Sequence, residues 1–552
     1  MTKPKSPNDG ACDGTPKIAD RSYHNGPDYT GAFAAVRDGG SDDDLISWRA
    51  FALASLDTIE RLLRIYMDVV YPILPLFHGP TLWERIRNRD HLSDRGFFAS
   101  VMAACALASA RARDGAIIDD RKLPKYGLEQ QSEIFYSGAA CAILKDFNKA
   151  QGLSYLRACG LLAVTAMQFG QIASMHQYLG HFCTLSAMQQ FHDEAQWPQN
   201  ITMIEREESR RLYWSMYNLD VLAGVIFNGV LKFQETSANV RYPTEVNDEM
   251  ITPTSCSSGS EGNWLRGWNV TTDLYRILEH TIKQVRSSRQ GLKTDRAPVT
   301  HLLGPERFNQ ALAAEGIIRL YSSLPSRFKD YSVPVTGNPA EDVYGFQAAN
   351  IQATFQLARM TLSSIDTDND VHQKCEVAEE LMSAMHSICP RFLTVMSTPL
   401  VYHLGGIGHM LAGVAEGSLT EAAYQRVRNS LASLSDLLEN LESGLQPTAG
   451  ASKGLRLQIT KIDAHMQAQR SSSSYASSAV NPSPMAVSYI PGQRSVFNQQ
   501  QPALGQTYHG LPVQTSAGQY QVTTDIMGGW SWPFEPQNDP QQQVNNIPGF
   551  NG

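Results

Sequence analysis

The chain has 552 residues, 42% of them hydrophobic and 18% charged, enough to bury a large core in one continuous helical body or in several domains. A formal net charge of −8 excludes a surface that clings to nucleic acid by bulk charge, because phosphate binding relies on concentrated Lys and Arg.

Residues 1 to 40 are rich in Gly, Asp, Pro and Ser and poor in aliphatics, too little apolar surface to offset the entropy of ordering, so a flexible leader is expected there. Its basic residues (Lys3, Lys5, Lys17, Arg21, Arg37) alternate with acids such as Asp9, Asp13 and Asp20 and form no local patch. It has no apolar core of the kind a signal peptide needs, which places the chain inside the cell.

Structure is expected to begin at Ser41-Asp-Asp-Asp-Leu45, where a Ser cap and three acids favour a helix start. The apolar positions Ile46, Phe51, Leu56, Ile59, Leu63 and Tyr66 then follow a helical period. Pro72 and Pro75 end this helix by removing backbone donors, and Thr81-Leu-Trp-Glu84 has the spacing of a capping box that opens the next. Further helical blocks are expected near 94–112, 128–147, 153–191, 205–223, 264–289, 305–323, 342–364, 371–397, 400–415 and 419–443, the last opened by a capping box at Ser418-Leu-Thr-Glu421. Between them, 224–262 carries Gly, Asn, Thr, Ser and Pro without steady periodicity and reads as long loops.

From Ser471 the composition turns to Ser, Gln, Pro, Asn and Gly, and residues 471–552 read as a disordered tail. Near its end Trp530, Trp532 and Phe534 stand beside acids, an arrangement that suits a partner groove. Strand-like alternation is nearly absent. The fold class is therefore all-α: a large irregular body of stacked helical hairpins over 41–445, a helical or linker transition over 446–470, and disordered ends.

No two of the eight cysteines form a CxxC pair, which excludes the usual zinc frameworks, and Cys105 and Cys159 sit in apolar helical runs as reduced buried thiols would. The most apolar runs, 97–110 and 399–415, are too short or too polar in the middle for a bilayer span of roughly 20 apolar residues. His176, His181, His192, His403 and His409, with Asp193, Glu194 and Glu416 nearby, are the candidates for catalysis, but their spacings match no metalloprotease motif. There is no nucleophile elbow and no phosphate-binding loop either, so an enzyme is not expected. Gly405-Gly-Ile-Gly408 reads as close helix packing. Arg85, Arg87 and Arg89, and Arg111 with Arg113, read as solvated helix faces rather than a nuclear-import cluster.

Three segments together resemble the middle homology region of fungal zinc-cluster transcription factors. The first is Tyr66-Met-Asp-Val-Val-Tyr-Pro-Ile-Leu-Pro-Leu-Phe-His78-Gly-Pro-Thr81, a helix end, a proline-braced corner and a new helix. The second is Glu207-Glu-Ser-Arg-Arg211-Leu-Tyr-Trp214-Ser-Met-Tyr217-Asn-Leu-Asp220, whose Leu212, Met216, Leu219 and Ala223 share one face widened by Trp214, Tyr217 and Val221. There Glu207 and Arg211 are spaced as a surface helical pair, and a buried Asp220 would need a cationic or backbone partner. The third is the helix Trp264 to His280.

The resemblance spans 45–445 and implies a nuclear regulator of transcription controlling a metabolic or biosynthetic gene set. It implies the transcription machinery as partner, reached through the tail, and leaves open a DNA-binding partner, a homodimer and a small-molecule effector. Two departures stand out. The turn after Asp220 is Asn228-Gly-Val230, and the six-cysteine zinc cluster that family members carry upstream is absent, since only Cys12 precedes Cys105; no cofactor is expected in this chain. Access to DNA is expected either through a segment missing from the gene model or through a partner, with an interaction scaffold without transcriptional role as the remaining reading.

Overall fold

In the computed structural model residues 48, 54–116, 132–257, 263–290, 308–365, 371–416, 419–446 and 449–478 are described. Fourteen α-helices form among the described residues, which contain only isolated β-bridges and no strand, so the expected all-α class holds.

The Ser41 cap lies outside the described residues. The first described helix, α1 (Leu56–Ile65), is capped by Ser55, whose Oγ accepts from the Thr58 N–H at 3.1 Å. It buries Ile59, Leu62, Leu63 and Ile65 and widens into a π-helical turn, Tyr66–Val70, before Pro72. The Tyr66 hydroxyl donates to the Leu74 carbonyl at 2.7 Å and ties the helix end to the proline corner.

The second helix, α2 (Gly79–Arg87), departs from the expected capping box. His78 is its N-cap, its Nδ1 accepting from the Thr81 N–H, and Pro80 sits in the first turn, where its missing donor costs nothing. Next, α3 (Arg95–Arg113) is capped by Asp94 and buried almost throughout from Gly96 to Arg111. Its many alanines let α4 (Ser132–Ala142) and α5 (Leu153–Gln168) approach closely.

The single block expected over 153–191 is two helices. Gly170, at φ 69°, adopts the left-handed conformation that ends α5, and α6 (Ile172–Met188) folds back onto it. A full capping box, Thr202 with Glu205, opens α7 (Met203–Ile226). Short 3₁₀ turns, Glu235–Ser237 and Asp248–Met250, punctuate the loops that lead to α8 (Leu265–Gln290).

The later helices are α9 (Gln310–Ser323), α10 (Pro339–Leu362), α11 (Val371–Ser387), α12 (Pro390–Ala412), α13 (Glu421–Glu442) and α14 (Ala451–Ser478). The break expected between 397 and 400 is present as a kink inside α12, and a second break, before Pro390, divides the block expected over 371–397. Ser397 has φ 55° and ψ −146°, and Pro399 cannot donate to the turn before it. Thr420 rather than Ser418 caps α13, and α14 runs past the composition change at Ser471. The Gly405–Gly408 run does serve close packing: a Cβ on Gly408 would lie 2.6 Å from Leu455 and 2.9 Å from Leu434. One hydrophobic cluster reaches from Trp48 to Met466 and joins these helices.

Candidate functional site

The sequence from Glu207 to Asp220 packs apolar and aromatic residues on every side of α7, and the helix is buried accordingly. Leu212, Trp214, Met216, Tyr217, Leu219, Val221 and Ala223 are all core. The charged residues from Glu207 to Asp220 are therefore almost wholly removed from water, and each has a partner. Arg211, 1% exposed, donates through one terminal nitrogen to Asp248 Oδ1 at 2.8 Å and to the Tyr71 hydroxyl at 3.1 Å. The other Asp248 oxygen accepts from Tyr71 at 2.7 Å and from the Gly79 N–H at 2.7 Å.

His78 completes this clasp. A carbonyl can only accept, so its Nε2 carries the proton and donates to the Asp248 carbonyl at 2.8 Å, leaving Nδ1 free to cap α2. The His78 N–H donates to Glu208 at 2.6 Å, and Glu208 faces Arg157 at 2.8 Å. Burial alone would push the Asp248 carboxyl up, but Arg211, the Gly79 N–H and Tyr71 outweigh it and hold it below the ordinary carboxylate range.

The expected surface pair of Glu207 with Arg211 is not formed. Glu207 is 1% exposed and accepts from Arg210 at 2.6 Å and from the Thr244 N–H at 2.8 Å, because Arg211 points across to the loop instead. Asp248 went unnoticed in the sequence. A buried arginine on α7 calls for an acid, yet nothing in the loop's pattern singles out this one.

Asp220 is fully buried and has the partners its burial demands. It accepts from the backbone N–H groups of Lys232 at 2.6 Å and Phe233 at 2.9 Å, and from Lys232 Nζ at 3.3 Å. This holds the altered turn, in which Asn228 has φ 52° and the Gly229 carbonyl accepts from Arg286 at 2.9 Å. Trp214 donates from Nε1 to the Arg241 carbonyl at 3.1 Å, and Tyr217 donates to Glu279 at 2.5 Å.

Arg111 is not solvated. It is 6% exposed and donates to the carbonyls of Val395 at 2.7 Å and Met396 at 2.6 Å, which the kink in α12 leaves without helical partners. Gln168 donates to Ser397 Oγ at 2.8 Å and to Asp114 at 2.5 Å on the same side. Arg113 pairs with Glu133 at 2.8 Å, and Arg85 pairs with Asp94 at 2.7 Å while covering the Phe97 ring.

Beside this kink lies a cavity of about 100 Å³. Its walls come from the three family-like segments and from α3, α5, α10 and α12: Val69, Val70, Ile73 and Leu74 from the first, Ser215, Asn218 and Leu219 from the second with Leu222 just beyond it, Trp268, Thr271 and Tyr275 from the third, and Val164, Met167 and Asn350 from α5 and α10. Pro72 and Pro75 brace the corner that supplies the first wall. Arg111 lines the cavity too, as do Pro399 and His403 from the kinked helix. Two of the wall's polar atoms, Ser215 Oγ and Asn218 Oδ1, are buried without a hydrogen-bond partner.

The histidines considered for catalysis do not converge. His403 donates from Nδ1 to the Pro399 carbonyl at 2.9 Å and accepts at Nε2 from Tyr275 at 2.9 Å, and burial pushes it down to about 4, so it is neutral and occupied on both nitrogens. His176 packs on Gly229, and His181 meets the rings of Phe147 and Tyr178. Among the described residues no three His, Cys, Asp or Glu side chains are grouped to hold a metal ion, and no helix is long and apolar enough to cross a membrane. Cys105, Cys159 and Cys375 are free and buried. Trp530, Trp532 and Phe534 lie outside the described residues.

Residues 63–295 match the family described as fungal specific transcription factor domain. The match covers less than half of the 552-residue chain and contains all three segments that carried the resemblance; the helices from α9 onward lie beyond it. No curated protein matches the chain.

Proposed function

We propose, from the fungal specific transcription factor domain that residues 63–295 form, that this chain regulates transcription in the nucleus of a fungus. The observation that carries the reading beyond the domain itself is the convergence of the three matching segments on one interior cavity. A purely structural body would be expected to fill such a space, since voids forfeit packing energy. A regulatory body keeps one for an effector that biases its conformation.

In this reading the helical body controls activity and assembly, and the tail recruits the transcription machinery through Trp530, Trp532 and Phe534. The genes it controls are a metabolic or biosynthetic set. Catalysis has no part in it. The second reading is a co-regulator that reaches DNA through a partner, favoured by the net charge of −8.

The test joins the full chain to a heterologous DNA-binding domain beside a reporter. Changed reporter output that is lost when Trp530, Trp532 and Phe534 are replaced by Ala, at unchanged helicity, supports the reading. An inert fusion that is folded and nuclear leaves only the scaffold.

A further inference from the structure

We propose that the cavity at the α12 kink takes a small monoanion, a single carboxylate on a short apolar body, with its charge against Arg111. This deepens the regulatory reading and rests on it only for the biological consequence. The size sets the first limit. An apolar cavity of about 150 Å³ holds benzene, so a space of about 100 Å³ admits a branched group smaller than a benzene ring and little more. Val69, Val164, Leu219, Leu222 and Leu400 supply the matching apolar wall.

Arg111 sets the charge. A guanidinium nine-tenths buried ordinarily faces a carboxylate in hydrogen-bonded contact, because a desolvated charge costs several kcal/mol when unpaired. Here its donating nitrogen meets two neutral carbonyls, and its Nε has no partner. The carboxylate that acts on it, Asp114, is already engaged by Gln168 at 2.5 Å, by the Gln446 N–H at 3.2 Å and by Arg113 at 3.4 Å. One cation without a contacting anion, lining a cavity with apolar walls, matches one negative charge on an apolar body. A dianion would be left with a charge unmatched.

The same guanidinium caps the two carbonyls released by the kink, so a ligand carboxylate competes with Val395 and Met396 for it. Occupancy is thereby coupled to the geometry of α12, which gives the body a bistable element for the ligand to bias.

Isothermal titration and thermal denaturation of the purified full chain with 2-methylpropanoate, its neutral amide 2-methylpropanamide, and inorganic phosphate test this directly. The carboxylate should bind at least about tenfold more tightly than the amide, the margin of a charge-assisted over a neutral contact, and phosphate should not bind. Ser215→Leu, which pushes a side chain into the cavity, should abolish binding, and Arg111→Met should erase the preference for the acid. Should Arg111→Met fail to fold, the wild-type preference and Ser215→Leu decide. Equal binding of acid and amide, binding of phosphate, no binding at all, or binding that survives Ser215→Leu would each overturn the proposal. A chain that binds the acid selectively yet leaves a tethered reporter unmoved upholds this inference and removes the regulatory reading.

Discussion

The clasp around Arg211 and the cavity around Arg111 are two answers to the same problem, a buried guanidinium. Arg211 has a carboxylate and a phenol in contact with one terminal nitrogen, while its Nε and its other terminal nitrogen have no partner; Asp248 in turn accepts from Arg211, Tyr71 and the Gly79 N–H. Arg111 has two carbonyls and an open space, with Ser215 Oγ and Asn218 Oδ1 unpartnered in the same wall. The difference is the countercharge: a guanidinium in contact with a carboxylate is neutralised in place, whereas one held by carbonyls leaves its charge for something else to match. The first region holds the proline corner to α7; the second is where the body can respond.

The contrast can be broken at its strong end first. Asp248→Ala strips Arg211 of its anion and is expected to destabilise the body by about 5 kcal/mol, the upper range for breaking a buried pair; a chemical-denaturation midpoint near wild type would show that the clasp contributes nothing. Trp214→Ala, at a side chain 4% exposed, should cost about 3 to 4 kcal/mol by the same measurement.

On the cavity side the effects should be smaller and of a different kind. His403 is pushed down to about 4 by burial, against about 6.5 in an unfolded chain. Between those values the unfolded chain takes up a proton that the folded one refuses, so stability should fall as pH drops through that window. His403→Gln should flatten this slope, leaving the share of His91, His176 and His181, which burial also lowers; an unaltered slope would refute the assignment. Ser215→Ala, which deletes an unpartnered hydroxyl, should change stability by less than about 1 kcal/mol, whereas a loss as large as that of Asp248→Ala would mean Ser215 is bonded after all.

Much of the first region was legible in the sequence. The aromatic and aliphatic residues of α7 surround the helix, so its burial could be read directly, and the need of a buried Asp220 for cationic or backbone partners followed from its charge. The Glu207 to Arg211 spacing misled because a pair four apart on a helix matters only where the helix has a free face, and Arg211 bonds instead to a loop acid 37 residues away. The corner was legible from Pro72 and Pro75, but a histidine is an unusual cap, and Thr81 had the better-known pattern.

The second region was almost illegible. Arg111 stands near a helix end, where arginines are normally solvated, and its partners are backbone carbonyls 284 and 285 residues away that exist only because α12 kinks. Backbone acceptors leave no residue type to recognise. The break at Ser397-Thr-Pro399 is legible from its proline, but not that the carbonyls it releases turn to Arg111.

A chain that regulates transcription occupies chromatin. Crosslinking the native chain in growing cells and sequencing the DNA it brings down should give discrete promoter sites, whether contact is direct or through a partner. A chain found in the nucleus but without enrichment at any promoter, or absent from the nucleus altogether, would contradict a role in transcription.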